Sequence, residues 1–397
     1  MKRIGSIILW SVIAAAFIGP GTVTTAASAG AGFGMALLWA VLLSVIATFV
    51  LQEMAARLSI VSGSDLAQIL SRRYASGVGK WLVLALVGGA ILLGCAAYQA
   101  GNILGGAAGA ILGTDWPKGI VTLAIAVGAA VLLALGSPQR IAQALAVLVA
   151  FMGLGFLLVA ITLAPTVGAL FSGLVIPHLP DGSLLVAVAL IGTTVVPYNL
   201  FLGSSLARGT DLGETRFGLA IAIGLGGLIT AAIVVVGSAL AGEFSFEALA
   251  DLLAEGLGEW ARYAFALGLF GAGLSSAVTA PLAAALTARG LFSRDAVAHW
   301  GPNGWAFRAV WLAVLATGTA FALADVKPVA AIILAQAFNG TLLPLVAIFL
   351  LRAANDRALL AGKANGALAN VAGTIVVLCA TGLGTLALWR VAQTLLG

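Results

Sequence analysis

The sequence predicts an all-α integral membrane protein with eleven transmembrane helices, arranged as two inverted repeats of five helices and one accessory helix. Three observations support this fold class. Of the 397 residues, 62% are hydrophobic and only 8% are charged, whereas soluble domains carry about 25% charged residues. Apolar stretches of about 20 residues, long enough to cross a bilayer, recur along the whole chain. Two of these stretches, one near the start of each half, are interrupted in mid-span by a proline.

Eleven apolar spans follow from the hydropathy pattern, and no polar segment between them is long enough for a soluble domain. The predicted spans are residues 6–32, 34–57, 81–109, 118–136, 141–164, 183–207, 216–241, 261–288, 306–324, 328–352 and 366–389. The first span begins after Met1-Lys2-Arg3, as a signal peptide does. It lacks a cleavage pattern and continues into the first interruption, so we interpret it as a mature span.

Basic residues are distributed asymmetrically between the two ends of the predicted helices. With the N-terminus in the cytoplasm, 15 of the 19 Lys and Arg residues lie on the cytoplasmic side; the exceptions are Lys118, Arg262, Lys327 and Arg390. This asymmetry follows the positive-inside rule. We therefore expect a multi-pass cell-membrane protein with a cytoplasmic N-terminus and an extracytoplasmic C-terminus. Because topology explains the net charge of +5, we predict no nucleic acid partner.

The two interrupted spans predict the repeat. The first interruption reads Gly19-Pro20-Gly21-Thr22, and the second reads Val196-Pro197-Tyr198-Asn199. If the two are equivalent, the repeated unit is five spans long, and a unit with an odd number of spans reverses its orientation on repetition. We expect the first repeat at residues 1–164, the second at 165–352, and a loop with the accessory span at 353–397.

An interrupted membrane helix has unpaired backbone polar groups at the ends of its two halves. Unwinding frees backbone carbonyls at the end of one half-helix and N–H groups at the start of the next. Carbonyls near Gly19 and Val196 suit a cation, whereas N–H groups from Thr22 and Asn199 onward suit an anionic group, and both options remain open. A proline that merely kinks the helix is the simpler alternative, and Asn199 is also a possible helix cap. Matched interruptions favour a substrate site of a secondary transporter.

Four segments of the chain resemble the natural resistance-associated macrophage protein (Nramp) family of metal transporters. They are Leu51–Ala67 in span 2, Pro197–Leu206 in span 6, Gly268–Thr279 in span 8 and Gln336–Pro344 in span 10. The resemblance covers nearly the whole chain, and it implies the leucine-transporter-type fold with broken helices 1 and 6 and transport by alternating access. It also implies that Gln336 lies near the substrate.

The chain departs from this family at the metal ligands. Where the family has Asp-Pro-Gly-Asn at the first break, this chain has Gly19 and Thr22 around Pro20-Gly21. Where the family has Met-Pro-His at the second break, this chain has Val196 and Tyr198 around Pro197. The resemblance therefore implies a rewired site, because the carboxylate and the soft sulfur ligand are both absent. Loss of the sulfur removes a preference for soft transition metals.

The proton route of the family is also altered. Cys95 and Tyr98 stand where the family offers an Asp and a Glu in span 3, and Gly203 stands where it has a second histidine in span 6. These substitutions remove the usual titratable groups, so we expect transport without the proton coupling of the family.

The sequence thus predicts a secondary transporter of a metal ion, bare, partly hydrated or complexed. A transporter of a small organic solute such as an amino acid is the alternative, and a non-transporting sensor is a remote one. No enzyme and no cofactor are predicted, and the metal and the oligomeric state remain open. The predicted substrate-binding residues are Gly19, Thr22, Val196, Tyr198, Asn199 and Gln336.

Overall fold

The computed structural model describes residues 18–74, 76–77, 80–81, 84–114, 116–135, 138–293, 298–324 and 327–396. Within these ranges every regular element is a helix, and nine helical segments are long and apolar enough to cross a membrane. The predicted all-α membrane class is therefore confirmed.

The helices are numbered here in chain order. The first half contains α1 (Pro20–Phe33), α2 (Leu38–Ser62), α3 (Leu66–Arg73), α4 (Gly89–Leu112), α5 (Lys118–Ala134), α6 (Pro138–Thr162) and α7 (Val167–Val175). The second half contains α8 (Leu184–Thr194), α9 (Pro197–Ala207), α10 (Leu212–Gly237), α11 (Phe246–Leu257), α12 (Trp260–Phe292), α13 (Trp305–Leu323), α14 (Pro328–Ala354), α15 (Arg357–Leu360) and α16 (Ala367–Leu396). A π-helical turn, Leu84–Gly88, leads into α4.

Most helix ends follow the predicted spans to within about five residues; α4 begins eight residues after the start of span 3, behind the π-helical turn, and α16 ends seven residues beyond span 11. Helix α1 is the second half of span 1, whereas α8 and α9 are the two halves of span 6. Helix α5 has 17 residues and is the shortest unbroken span. The first part of span 1, residues 6–17, and the signal-like segment before it lie outside the described residues.

The broken span and two others form the interior of the bundle. The apolar windows of Leu184–Ala207, Trp260–Phe292 and Gly89–Leu112 are 83%, 78% and 72% buried by protein. The windows of Leu145–Thr162 and Ala367–Trp389 are each only 28% buried, so they form the periphery that faces lipid. The substrate site predicted at the breaks therefore lies at the centre of the fold.

Glycines let the central helices approach closely. A methyl group built on Gly273 of α12 lies 2.3 Å from the Cα atom of Gly106 in α4. A methyl group built on Gly105 lies 2.0 Å from Cβ of Pro20, the first residue of α1. Such contacts between small residues replace the hydrophobic driving force that membrane helices lack, and they bring α4 close to both α12 and the first break.

A buried arginine joins the end of α2 to the loop before α16. Arg57, which is 4% exposed, donates to the backbone carbonyl of Lys363 at 2.5 Å and to Oδ1 of Asn365 at 2.6 Å. It also pairs with Glu53 one turn earlier at 3.1 Å, and Glu53 in turn accepts from Arg216 of α10 at 2.7 Å. This network anchors the accessory helix to the first repeat.

Candidate functional site

The two breaks have the same local geometry. Pro20 and Pro197 are each the first residue of a half-helix, and the residue before each is extended: Gly19 has φ −87° and ψ 177°, and Val196 has φ −83° and ψ 118°. Proline suits the first helical position because its missing N–H has no partner there in any case. The two prolines therefore begin helices, as the inverted-repeat hypothesis requires.

The second break is an interruption and not a kink. Helix α8 ends at Thr194, and Val195, with φ −92° and ψ 75°, is not helical. Val195 and Val196 thus form a two-residue non-helical link before Pro197. For span 6, the simpler alternative of a proline kink in a continuous helix is wrong.

Asn199 does not cap the second half-helix. The N-cap position is held by Val196, without a side-chain cap, and the Asn199 side chain lies two residues inside the helix. A side chain at this position reaches back to the cap when it is Glu or Gln, and Asn is shorter. Its Oδ1 atom is buried and has no partner among the described residues. Asn199 is therefore left with a free acceptor beside the break.

A hydroxyl pair connects the two breaks. Oγ1 of Thr22, in the first turn of α1, lies 3.1 Å from Oγ1 of Thr193, in the last turn of α8. Oγ1 of Thr25 donates to the carbonyl of Gly21 at 2.8 Å. The backbone carbonyls of the cap residues are already engaged: Gly19 accepts from the N–H of Val23 at 3.2 Å. The side-chain polar groups of the first break are thus buried threonine hydroxyls.

Gln336 of α14 packs against both breaks. A methyl group built on Gly21 lies 2.0 Å from Nε2 of Gln336, and one built on Gly192 lies 2.0 Å from the Gln336 backbone carbonyl. An ordinary carbon contact needs about 3.5–4 Å, so the contact of Gly192 with backbone requires glycine, whereas a side chain at position 21 would displace the flexible amide of Gln336. Oε1 of Gln336 is buried without a partner among the described residues. This arrangement agrees with the position near the substrate that the family resemblance implies for Gln336.

Tyr98 of α4 completes the junction. Its hydroxyl donates to the carbonyls of Thr193 at 3.2 Å and Gly192 at 3.4 Å. Its ring meets the ring of Tyr198 edge to face, with centroids 5.4 Å apart. The Tyr198 hydroxyl is buried without a partner in the described part of the chain. From the sequence, Tyr98 was predicted only as a position of the lost proton route. Its hydrogen bonds to the last carbonyls of α8 were not predicted.

The structure brings together most, though not all, of the sequence-predicted residues. Thr22 is hydrogen-bonded to Thr193, whose carbonyl accepts from Tyr98, the ring neighbour of Tyr198. Gln336 packs against both breaks, and Cys95 lies one turn before Tyr98 on α4 and is fully buried. Gly203 lies five residues beyond Tyr198 on α9, which places it about 8 Å further along the helix axis. The second break and Gly203 therefore lie at different positions along the axis of the same half-helix.

The side-chain atoms of the site that could bind a cation are neutral oxygens of hydroxyl and amide groups. Thr22, Val196, Tyr198 and Gln336 are each 1% exposed and Asn199 is 5% exposed, so the site is closed to solvent. The described residues contain no group of three or more His, Cys, Asp or Glu side chains that could hold a metal ion. Neutral hydroxyl and amide oxygens suit hard cations that keep part of their water.

Comparisons with known proteins agree with the residue-level resemblance. The family model described as natural resistance-associated macrophage protein-like matches residues 11–390. A protein of Verminephrobacter eiseniae named divalent metal cation transporter MntH is 31% identical over 303 residues, which are 70% of this chain and 67% of that protein. A protein of the same name from Yersinia pestis is 27% identical over 307 residues, covering 73% of each chain.

Solved structures resemble this fold over nearly its whole length. A variant of the manganese transporter of Eremococcus coleocola superposes with a TM-score of 0.76 at 21% identity, covering 97% of this chain and 86% of that one. MhsT in complex with L-phenylalanine superposes with a TM-score of 0.66 at 17% identity, covering 96% and 98%. At these identities the similarity establishes the fold, which is the predicted leucine-transporter type.

Proposed function

The chain belongs to the natural resistance-associated macrophage protein-like family, and on this premise we propose that it is a secondary transporter that moves a metal ion across the membrane by alternating access. The observation that carries the proposal is the pair of matched breaks, joined by the hydroxyls of Thr22 and Thr193 at 3.1 Å. Relatives named as divalent metal cation transporters support a metal as the substrate.

The site favours a cation that keeps part of its hydration shell. The side chains at the two breaks carry no formal charge, so nothing there offsets the cost of removing all the water from a dication. Burial of a single charge at membrane depth already costs about 2.5–3.5 kcal/mol on the most lenient scale. Thr22, Tyr198, Asn199 and Gln336 offer hydroxyl and amide oxygens that accept hydrogen bonds from metal-bound water.

The proposed architecture divides the chain into two repeats, residues 1–164 and 165–352, followed by a loop and accessory helix at 353–397. The equivalent prolines at the first position of α1 and α9 support this division. The N-terminus is cytoplasmic and the C-terminus is extracytoplasmic, because this orientation places 15 of the 19 basic residues inside. We propose that the protein has no enzymatic activity, since its named relatives are transporters.

Transport proceeds without the proton route of the family. Cys95 is fully buried and Tyr98 is committed to the carbonyls of α8, so neither supplies the carboxylate that the family uses there. Metal uptake into liposomes loaded with a fluorescent pH indicator leaves the internal pH unchanged. A substrate-driven proton flux that disappears in Cys95→Ala or Tyr98→Phe would overturn this part of the proposal.

Uptake by proteoliposomes tests the proposed substrate. The panel contains manganese, iron and magnesium beside a set of amino acids, and we expect saturable uptake of at least one metal. Thr22→Trp and Tyr198→Trp abolish this uptake because they fill the junction of the breaks, whereas Thr385→Trp on the lipid-exposed surface of α16 leaves it intact. Absence of any metal uptake, together with saturable amino acid uptake, would favour the organic-solute transporter and refute the metal proposal.

A further inference from the structure

A second buried amide lies one helical turn beyond Gln336. Asn339 is on the same helix, α14, three residues further, so the two side chains project from the same face. Asn339 is 1% exposed, and its Nδ2 atom has no hydrogen-bond partner among the described residues. Asn339 is not among the residues predicted from the sequence: its spacing of three from Gln336 is visible there, but its contact with α4 is not.

The position of the amide is defined by a glycine of α4. A methyl group built on Gly94 lies 2.7 Å from Oδ1 of Asn339, so the amide occupies the space that any other residue would fill at position 94. Gly94 is one turn before Tyr98, whose ring contacts Tyr198. Asn339 therefore lies against the stripe of α4 that also forms the junction of the breaks.

An unpaired buried amide requires an explanation. A buried donor or acceptor without a partner destabilises a protein by about 1–3 kcal/mol, and most such groups in native structures bind water or a ligand. Tyr198, Asn199 and Gln336 likewise have buried polar atoms without partners in the described ranges. Gln336 and Asn339 lie one turn apart on α14, and Tyr198 and Asn199 lie in the first turn of α9. Buried polar groups without partners at membrane depth mark a functional site better than a packing defect.

We propose that Asn339 is a specificity-determining residue that binds the hydration shell of the transported cation, one turn away from the contact made by Gln336. This inference rests on the proposed function and assigns it a further residue. Metal-bound water donates hydrogen bonds and needs an acceptor, whereas the unpaired atom of Asn339 in the structure is the donor Nδ2. A half-turn about the terminal side-chain bond exchanges Nδ2 with Oδ1 and places the acceptor oxygen at the unpaired position. The residue thereby favours a cation that retains its water over one that has lost it.

Equilibrium binding to the purified full-length protein tests this inference independently of transport. The probes are magnesium ion, which sheds water reluctantly, and cobalt(III) hexaammine, a complex whose ligands do not exchange and which mimics a hydrated ion. Asn339→Leu weakens the binding of both probes about tenfold, the effect of losing one hydrogen bond to a charged group. Thr122→Val is the matched control, because Thr122 lies on α5, which carries none of the residues at the breaks, and is also buried with an unpaired hydroxyl in the described structure.

Two further variants keep the test decisive if Asn339→Leu does not fold. Gly94→Ala displaces the amide through its added methyl group, and we expect weaker binding of both probes. Asn339→Asp retains an oxygen acceptor and adds a negative charge, so it strengthens binding. If the wild-type protein binds both probes and all three variants bind as it does, the inference is wrong and the proposed function stands. If the wild-type protein neither binds nor transports any metal, the proposed function itself fails.

Discussion

Gly21 gives the sharpest test of the site because its neighbours are known atom by atom. A methyl group at this position lies 2.0 Å from Nε2 and 2.6 Å from Cδ of Gln336, and 3.1 Å from Oγ1 of Thr193. Gly21→Ala therefore forces the Gln336 amide away from the break. The amide is the far end of a flexible side chain, so it moves before the backbone does.

The size of the effect follows from these distances. A non-bonded contact needs about 3.5 Å, so the amide of Gln336 is displaced by about 1.5 Å, which is enough to break a hydrogen bond to metal-bound water. Loss of one hydrogen bond to a charged group costs about 1.5–3 kcal/mol, which raises KM for the metal at least tenfold. The free energy of unfolding changes less than the free energy of binding. Alanine is more favourable than glycine in a helix by about 1 kcal/mol, and this offsets part of the cost of overpacking.

Initial rates of manganese and magnesium uptake into proteoliposomes measure KM, and thermal unfolding measures stability. Gly32→Ala is the matched control: it lies on the same helix, α1, and a methyl group there meets no atom within 4 Å. We expect Gly32→Ala to retain the wild-type KM. A KM for Gly21→Ala equal to that of Gly32→Ala, in a folded protein, would refute the placement of Gln336 at the site.

Three predictions concern stability, each measured by thermal unfolding of the purified protein. Arg57→Gln lowers the free energy of unfolding by about 3 kcal/mol because it breaks a buried charge network. Arg73→Gln removes only a surface pair with Asp356 and lowers it by about 1 kcal/mol or less. Equal losses in the two variants would contradict this prediction. Gly273→Ala destabilises by about 1–3 kcal/mol, because its methyl group meets backbone of α4 at 2.3 Å; an unchanged midpoint would count against the close crossing of α4 and α12. The hydrogen bond from Arg73 lowers the pKa of Asp356. The pair therefore stabilises the protein above the ordinary carboxyl pKa, and this stabilisation is lost as the pH falls below about 4. Asp356→Asn does not show this pH-dependent loss of stability.

The fold was largely predictable because lipid imposes a simple rule on the sequence. Every backbone polar group at membrane depth needs an internal partner, so apolar stretches of sufficient length become helices. The breaks were predictable for the same reason, since Pro20 and Pro197 lack an N–H and each stands in an apolar span. The ends of the helices were less predictable: α12 extends to Phe292, four residues beyond the predicted span, because its backbone hydrogen bonds continue past the apolar stretch, as far as the N–H of Ser293 on the carbonyl of Arg289.

The site was predictable only in part. Residues at the breaks could be identified from their own sequence, as with Thr22 and Tyr198, and Gln336 followed from family resemblance. Tyr98 and Asn339 could not, because their importance depends on which helices pack against the breaks. Asn199 was ambiguous between a cap and a ligand, and the start of α9 at Pro197 decided against the cap. Long-range contacts of this kind leave no local signal in the chain.

The glycine contacts also divide the bundle mechanically. Gly106 and Gly273 lock α4 to α12, and a methyl group built on Gly237 of α10 would lie 2.5 Å from the carbonyl oxygen of Ala27 in α1, so α1 and α10 are held together with equal closeness. Two stiff pairs of helices result, and they meet where Pro20 rests on the bare backbone of Gly105. Gly105 has no side chain that could interlock with the ring of Pro20. If the two helix pairs move relative to each other during transport, we expect the movement to occur at this contact.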